Sequence, residues 1–137
     1  MIQRKASRVG STVRRVVLVD DHPIVRHGFA ELINEEPDLE VIAEVATGEE
    51  AMRVVAEHRP DLAVIDISLE GMDGLELIKH LKAQYPKLTV LVVSIYDESL
   101  YAERALRAGA MGYLNKQTAI DQIVPAVRRV LSFAART

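Results

Sequence analysis

Five short apolar runs, separated by stretches of helical spacing, constrain this chain more than any other feature. The runs are RVVLVD (Arg15–Asp20), LEVIAEV (Leu39–Val45), LAVID (Leu62–Asp66), LTVLVVS (Leu88–Ser94) and GYLN (Gly112–Asn115). Val, Ile and Leu dominate them, the texture of strands covered on both faces. Only the second alternates cleanly, with Leu39, Val41, Ala43 and Val45 on one side and Glu40 and Glu44 on the other. It reads as an edge strand. Between the runs, Ile24, Gly28 and Ile33 follow Pro23, which suits a first helical turn. TGEEAMRVVAEH opens with a capping box, Thr47 and Glu50. A third helix carries Leu75, Ile78 and Leu81 and stops at Tyr85-Pro86, a fourth spans Leu100 to Ala108, and a fifth runs from Thr118 to about Phe133. Pro125 predicts a kink or a late start in that last helix. Five strands alternating with five helices mean an α/β fold: a parallel sheet with helices on both faces.

The 137 residues suffice for one domain with a real core. There is no cysteine, which excludes disulfides, thiolate catalysis and Cys-based zinc sites. No run of 18 apolar residues occurs, and no apolar segment follows the basic start, so neither a membrane span nor a signal peptide is predicted. The expectation is a cytoplasmic protein. Net charge is −3, but Arg4, Lys5, Arg8, Arg14 and Arg15 crowd the first 15 residues with no acid. Without those five, 12 basic residues face 20 acidic ones, so the body stands near −8. Such a body is not built to grip nucleic acid through phosphates. The predicted organisation is a basic tail over 1–14, one domain over 15–133, and a short tail or linker start over 134–137.

In an open α/β sheet, ligands bind beyond the carboxyl ends of the strands, where strand order reverses. Those ends carry Asp20 and Asp21 after strand 1, Asp66 after strand 3, Ser94 on strand 4 and Lys116 past strand 5. In the flavodoxin-like order 2-1-3-4-5, strands 1 and 3 are neighbours at the switch point. Three carboxylates there repel one another unless a cation joins them. Oxygen ligands without nitrogen or sulfur select a hard ion, and Mg²⁺ suits one or two carboxylates plus water. Mg²⁺ beside Lys116 makes a place for phosphoryl oxygens, with Ser94 as a further donor. A carboxylate in that place can itself accept a phosphoryl group.

VLVDDHP, VIDISLEGMDG, VVSIYDE and AGAMGYLNK together resemble the receiver domain of bacterial two-component response regulators, over about residues 15–133. The resemblance implies the CheY-like form of the flavodoxin-like three-layer sandwich. It implies that Asp66 is the phosphoacceptor and that Asp20 and Asp21 position Mg²⁺, with Asp21 a direct ligand and the backbone carbonyl of Ser68 another. It further implies that Lys116 binds the phosphoryl group, Ser94 moves towards it, and Tyr113 is the aromatic switch residue. The expected donor is a sensor histidine kinase or a phosphotransfer protein, and a phosphorylation-dependent homodimer is a possible output. The DDHPIVRHG start and Lys116-Gln117 look most like the NarL/FixJ branch, whose members attach a LuxR-type helix-turn-helix. DNA binding is expected of such a full-length regulator and not of this chain alone. Two departures stand out. Glu70 replaces a frequent proline, and Gln117 removes the cis Lys-Pro bond common in the family.

Plainer roles compete for several residues. A lone strand-end Asp often only caps a turn; three of them with Lys116 and Ser94 in the right elements do not. Asp73 reads as the N-cap of the third helix. His22 either touches the site or is an exposed loop histidine, and His27, His58 and His80 have no metal-ligand spacing. Tyr113 alone would read as a half-buried sheet residue. A haloacid-dehalogenase-type phosphatase would need an acid two residues after the nucleophile, where Ser68 stands. A flavin carrier would need a hydroxyl- and glycine-rich loop where DDHP repels phosphate. A stand-alone single-domain receiver, acting by protein–protein interaction or in a phosphorelay, is the closest alternative.

Overall fold

A computed structural model describes residues 12–67, 69, 73–95 and 98–136. The elements run β1 (Arg14–Val19), α1 (Pro23–Asn34), β2 (Leu39–Val45), α2 (Gly48–His58), β3 (Leu62–Asp66), α3 (Gly74–Gln84), β4 (Thr89–Ser94), α4 (Glu98–Ala108), β5 (Gly112–Asn115) and α5 (Ala119–Arg136). The strands form one parallel sheet in the order β2-β1-β3-β4-β5. This is the flavodoxin-like order, and β2 is an edge strand as its alternation predicts. Among the described residues, no helix is long and apolar enough to cross a membrane.

Period-2 alternation explains how continuous apolar strands serve two cores. Val17, Val19, Ala63, Ile65, Val90 and Val92 face one side, packed with Ala51 and Val55 of α2, Leu77, Ile78 and Leu81 of α3 and Ala105 of α4. Val16, Leu18, Leu62, Val64, Leu91 and Val93 face the other, against Phe29 and Ile33 of α1 and Ile123 and Val127 of α5. Burying strands on both faces leaves only their ends for chemistry.

The second strand departs from the one-face reading. Val16 pairs with Val41 but Val17 pairs with Ala43, so Ile42 is an extra residue in β2. Such a bulge reverses the parity of everything after it. Leu39 and Val41 therefore pack on the α1–α5 side, while Ala43 and Val45 pack on the α2–α4 side. Glu44 is carried round to α1, where it meets Arg26 and His27.

Caps follow the sequence closely. Thr47 Oγ1 accepts from the Glu50 backbone N–H at 3.1 Å, and Glu50 Oε1 accepts from the Ala46 N–H at 3.2 Å. Asp73 Oδ1 accepts from the Leu75 N–H at 3.0 Å and caps α3. Several boundaries differ by a few residues. β1 starts at Arg14, inside the expected tail, because its N–H finds the Asp38 carbonyl. α5 starts at Ala119 and runs through Pro125 to Arg136, beyond the expected domain end, instead of starting late. Proline removes one backbone donor there, and buried Ile123, Ala126, Val127, Val130 and Leu131 on both sides of it hold the helix together. α4 starts at Glu98, two residues before Leu100.

Candidate functional site

The carboxyl ends of β1, β3, β4 and β5 converge on one crevice. β1 delivers Asp20, whose N–H still bonds the Val45 carbonyl in the manner of the sheet. The chain then turns through Asp21 and His22 into α1, with the His22 N–H donating to Asp20 Oδ1 at 2.8 Å. β3 ends on Asp66, whose side chain is wholly buried. Gly74 makes that placement possible: a Cβ there would lie 2.6 Å from Ile67 Cα and 2.9 Å from the Asp66 carbonyl oxygen. Only glycine lets the start of α3 come so close to the strand end.

Lys116 is fixed by its backbone, whose N–H donates to the Ser94 carbonyl at 2.7 Å. Its side chain, 7% exposed, crosses the crevice so that Nζ stands 2.9 Å from Asp20 Oδ2 and 3.0 Å from Asp66 Oδ2. Burial alone would lower the Lys116 pKa. Hydrogen bonds to Asp20 and Asp66, and their charges, outweigh it and hold the ammonium above its ordinary value.

His22 is both things the sequence left open. Its side chain is 58% exposed, yet Nδ1 lies 3.0 Å from Lys116 Nζ and 3.1 Å from both Asp20 Oδ1 and Asp21 Oδ1. The other histidines stay at the surface, His27 paired with Glu44 and His58 close to Glu57. Position alone could not place His22, since the fold of the β1–α1 turn decides it.

Asp20, Asp21, His22 and Asp66 each offer a ligand atom within 4.8 Å of the others. Asp21 Oδ1 is buried and accepts no hydrogen bond; the His22 contact to it lacks hydrogen-bond geometry. A buried carboxylate oxygen without a donor is costly unless a cation serves it. Three carboxylates against the Lys116 charge leave the crevice two charges negative. The donor set, oxygen-rich and anionic, fits a hard divalent ion such as Mg²⁺.

Ser94 is fully buried at the end of β4, and Asp66 pairs in register with its neighbour Val93. Tyr113 is not in the carboxylate cluster. It sits on β5 opposite Val92 and packs, half-buried, into the core shared with Ala105 and Ala108 of α4. Ser68 and Glu70 lie outside the described residues. Among the described residues there is no cis peptide bond, Lys116-Gln117 included.

Fold and crevice together define a class: a doubly wound α/β domain whose switch point holds acidic groups around a buried ammonium. The chain belongs to the response regulator receiver domain family, whose model matches residues 16–128. It is 37% identical over 117 residues to the oxygen regulatory protein NreC of Staphylococcus epidermidis, covering 85% of this chain and 54% of that protein. It is 41% identical over 116 residues to the transcriptional regulatory protein UhpA of Salmonella typhimurium, covering 84% and 57%. The chain thus spans about half the length of these curated relatives. Among solved structures, a LuxR-family two-component response regulator from Aurantimonas sp. SI85-9A1 superposes with TM-score 0.83 at 36% identity, covering 88% of this chain and 86% of that one. The signal receiver domain of a NarL response regulator from Mycobacterium tuberculosis gives 0.82 at 31%, covering 88% and 98%. These similarities put the chain with the LuxR-family, NarL-like receivers.

Proposed function

We propose that this receiver accepts a phosphoryl group on Asp66 from the phosphohistidine of a sensor histidine kinase or phosphotransfer protein. One observation carries the reading most directly: a wholly buried Asp66 carboxylate held 3.0 Å from the ammonium of Lys116. An Asp66 oxygen forms the new bond to phosphorus, the P–N bond breaks, and its electron pair returns to the departing imidazole. Lys116, which already faces the Asp66 carboxylate, then pairs with the phosphoryl oxygens, and the Ser94 hydroxyl turns to donate to one of them. Asp20, Asp21 and Asp66 hold Mg²⁺ in this reading, with the Ser68 backbone carbonyl as a further ligand. The ion supplies neutralisation of the charge gathered on the oxygens.

The protein turns over no external substrate and acts in the cytoplasm. Its product is an altered surface, relayed through Tyr113 and read as dimerisation or as transcriptional control through a LuxR-type helix-turn-helix of a longer regulator. DNA contact belongs to that part, since the acidic receiver body repels phosphates. Intact mass after incubation with acetyl phosphate tests the acceptor. The expected result is one added phosphoryl group that requires Mg²⁺, is acid-stable and base-labile, and is absent in Asp66→Asn. Undiminished labelling of Asp66→Asn would refute the assignment.

A further inference from the structure

Beneath the crevice lies an ionic group that the phosphoryl chemistry does not use. Arg26 of α1 has a side chain only 13% exposed. Its Nη1 donates to the backbone carbonyl of Asp20 at 2.7 Å and its Nε to Glu44 Oε1 at 3.1 Å. The same side chain borders a small internal void that also touches Asp20 and Asp66. Glu44 reaches it because of the bulge at Ile42, which turns this end of β2 towards α1.

We infer that Arg26 is a positioning residue for the cation-binding turn, an inference that rests on the receiver chemistry proposed above. The peptide joining Asp20 to Asp21 is planar. Fixing its carbonyl oxygen limits the rotation of that plane, and with it the ψ of Asp20 and the φ of Asp21, which aim the two carboxylate side chains. A guanidinium can do this where an ammonium cannot. Its donors sit in a rigid fork, and with Nε committed to Glu44 the plane of the fork and the directions of the Nη1–H bonds are fixed. The bulge, Glu44 and Arg26 form a strut from the sheet edge to the metal-ligand turn.

Positioning and simple electrostatics predict opposite results here. Arg26 carries a positive charge under a site for a divalent cation, so removing that charge should by itself tighten Mg²⁺ binding. Removing the strut should loosen it. Groups that orient metal ligands from behind are worth about 10–100-fold in affinity. The experiment is an Mg²⁺ titration of wild type, Arg26→Gln and Arg26→Lys followed by amide shifts in NMR spectra, with thermal unfolding of each measured alongside. The dissociation constant of Arg26→Gln is expected to rise about tenfold. That of Arg26→Lys should rise as well, although its charge is unchanged, and this arm decides the question if Arg26→Gln does not fold. Folded variants that bind Mg²⁺ as tightly as wild type, or more tightly, would overturn the positioning role alone. A wild type that binds no Mg²⁺ would overturn the functional reading, and this inference with it.

Discussion

Asp20, Asp21 and Asp66 crowd one crevice, and the fold compensates them unequally. Lys116 serves Asp20 and Asp66, while Asp21 keeps a buried oxygen without a donor. Asp73, a few residues away in sequence from Asp66, has a different task and caps α3. The two acids should therefore separate cleanly on mutation. Asp21→Ala should lose most Mg²⁺ affinity yet unfold in EDTA no earlier than wild type, since it removes a repelling charge. Asp73→Ala should bind Mg²⁺ normally and lose about 1 kcal/mol of stability with its cap. Magnesium titration and urea midpoints check both, and equal effects of the two on Mg²⁺ would show the site misplaced. Lys116 sets no neutral-pH switch. Its folded-state pKa is raised, so its stabilising contribution is complete below the unfolded value near 10.4 and is lost only as pH climbs through the higher folded value.

Elements hold these residues by close contacts as much as by regular structure, and Gly74 is the sharpest case. Alanine in a helix ordinarily gains about 0.5–1 kcal/mol over glycine. Here the added Cβ meets the backbone of Asp66 and Ile67, and overpacking of that kind costs about 1–3 kcal/mol. Gly74→Ala should lower the denaturant midpoint and slow labelling by acetyl phosphate, because the displaced strand end carries Asp66. A raised midpoint with normal labelling would contradict this packing account. The same scale shows what the sequence could and could not tell. Strand texture, caps and the strand-end acids were legible because each depends on neighbours within a few residues. The bulge was not: LEVIAEV breaks its alternation only at Ile42, an apolar residue between two others, and only pairing with β1 shows that residue to be surplus. The missed partnership of Glu44 with Arg26 follows from that slip. His22 was ambiguous for a related reason, since its contact with Lys116 joins residues 94 positions apart.

At the scale of the molecule, the site sits at one end of a rigid sheet while α4 flanks it with a light grip. Among its described side chains α4 buries only Ala105 and Ala108, and Leu100 and Leu106 stay about half exposed. A helix whose fully buried contacts are two alanines, with Tyr101 partly buried against the same core, has little large apolar surface to lose on shifting. Tyr113 lies in the core beside those alanines, and Ser94 closes the neighbouring strand. A phosphoryl group on Asp66 adds charge and acceptor oxygens that Lys116 and the Ser94 hydroxyl can meet. In the proposed switch, turning Ser94 towards Asp66 would leave room under α4 for Tyr113. Two arrangements would then compete, and the phosphoryl group would need to favour one by only a few kcal/mol to move the population. In NMR spectra with beryllofluoride and Mg²⁺, wild type should show shifts through residues 98–116 as well as around Asp66. Ser94→Ala should bind the mimic yet leave α4 and β5 less changed. Tyr113→Ala should bind it nearly normally, because Tyr113 stands outside the carboxylate cluster, but transmit little to a dimer contact. Shifts confined to the loops around Asp66 in the wild type, with α4 and β5 silent, would show that this route does not carry the signal.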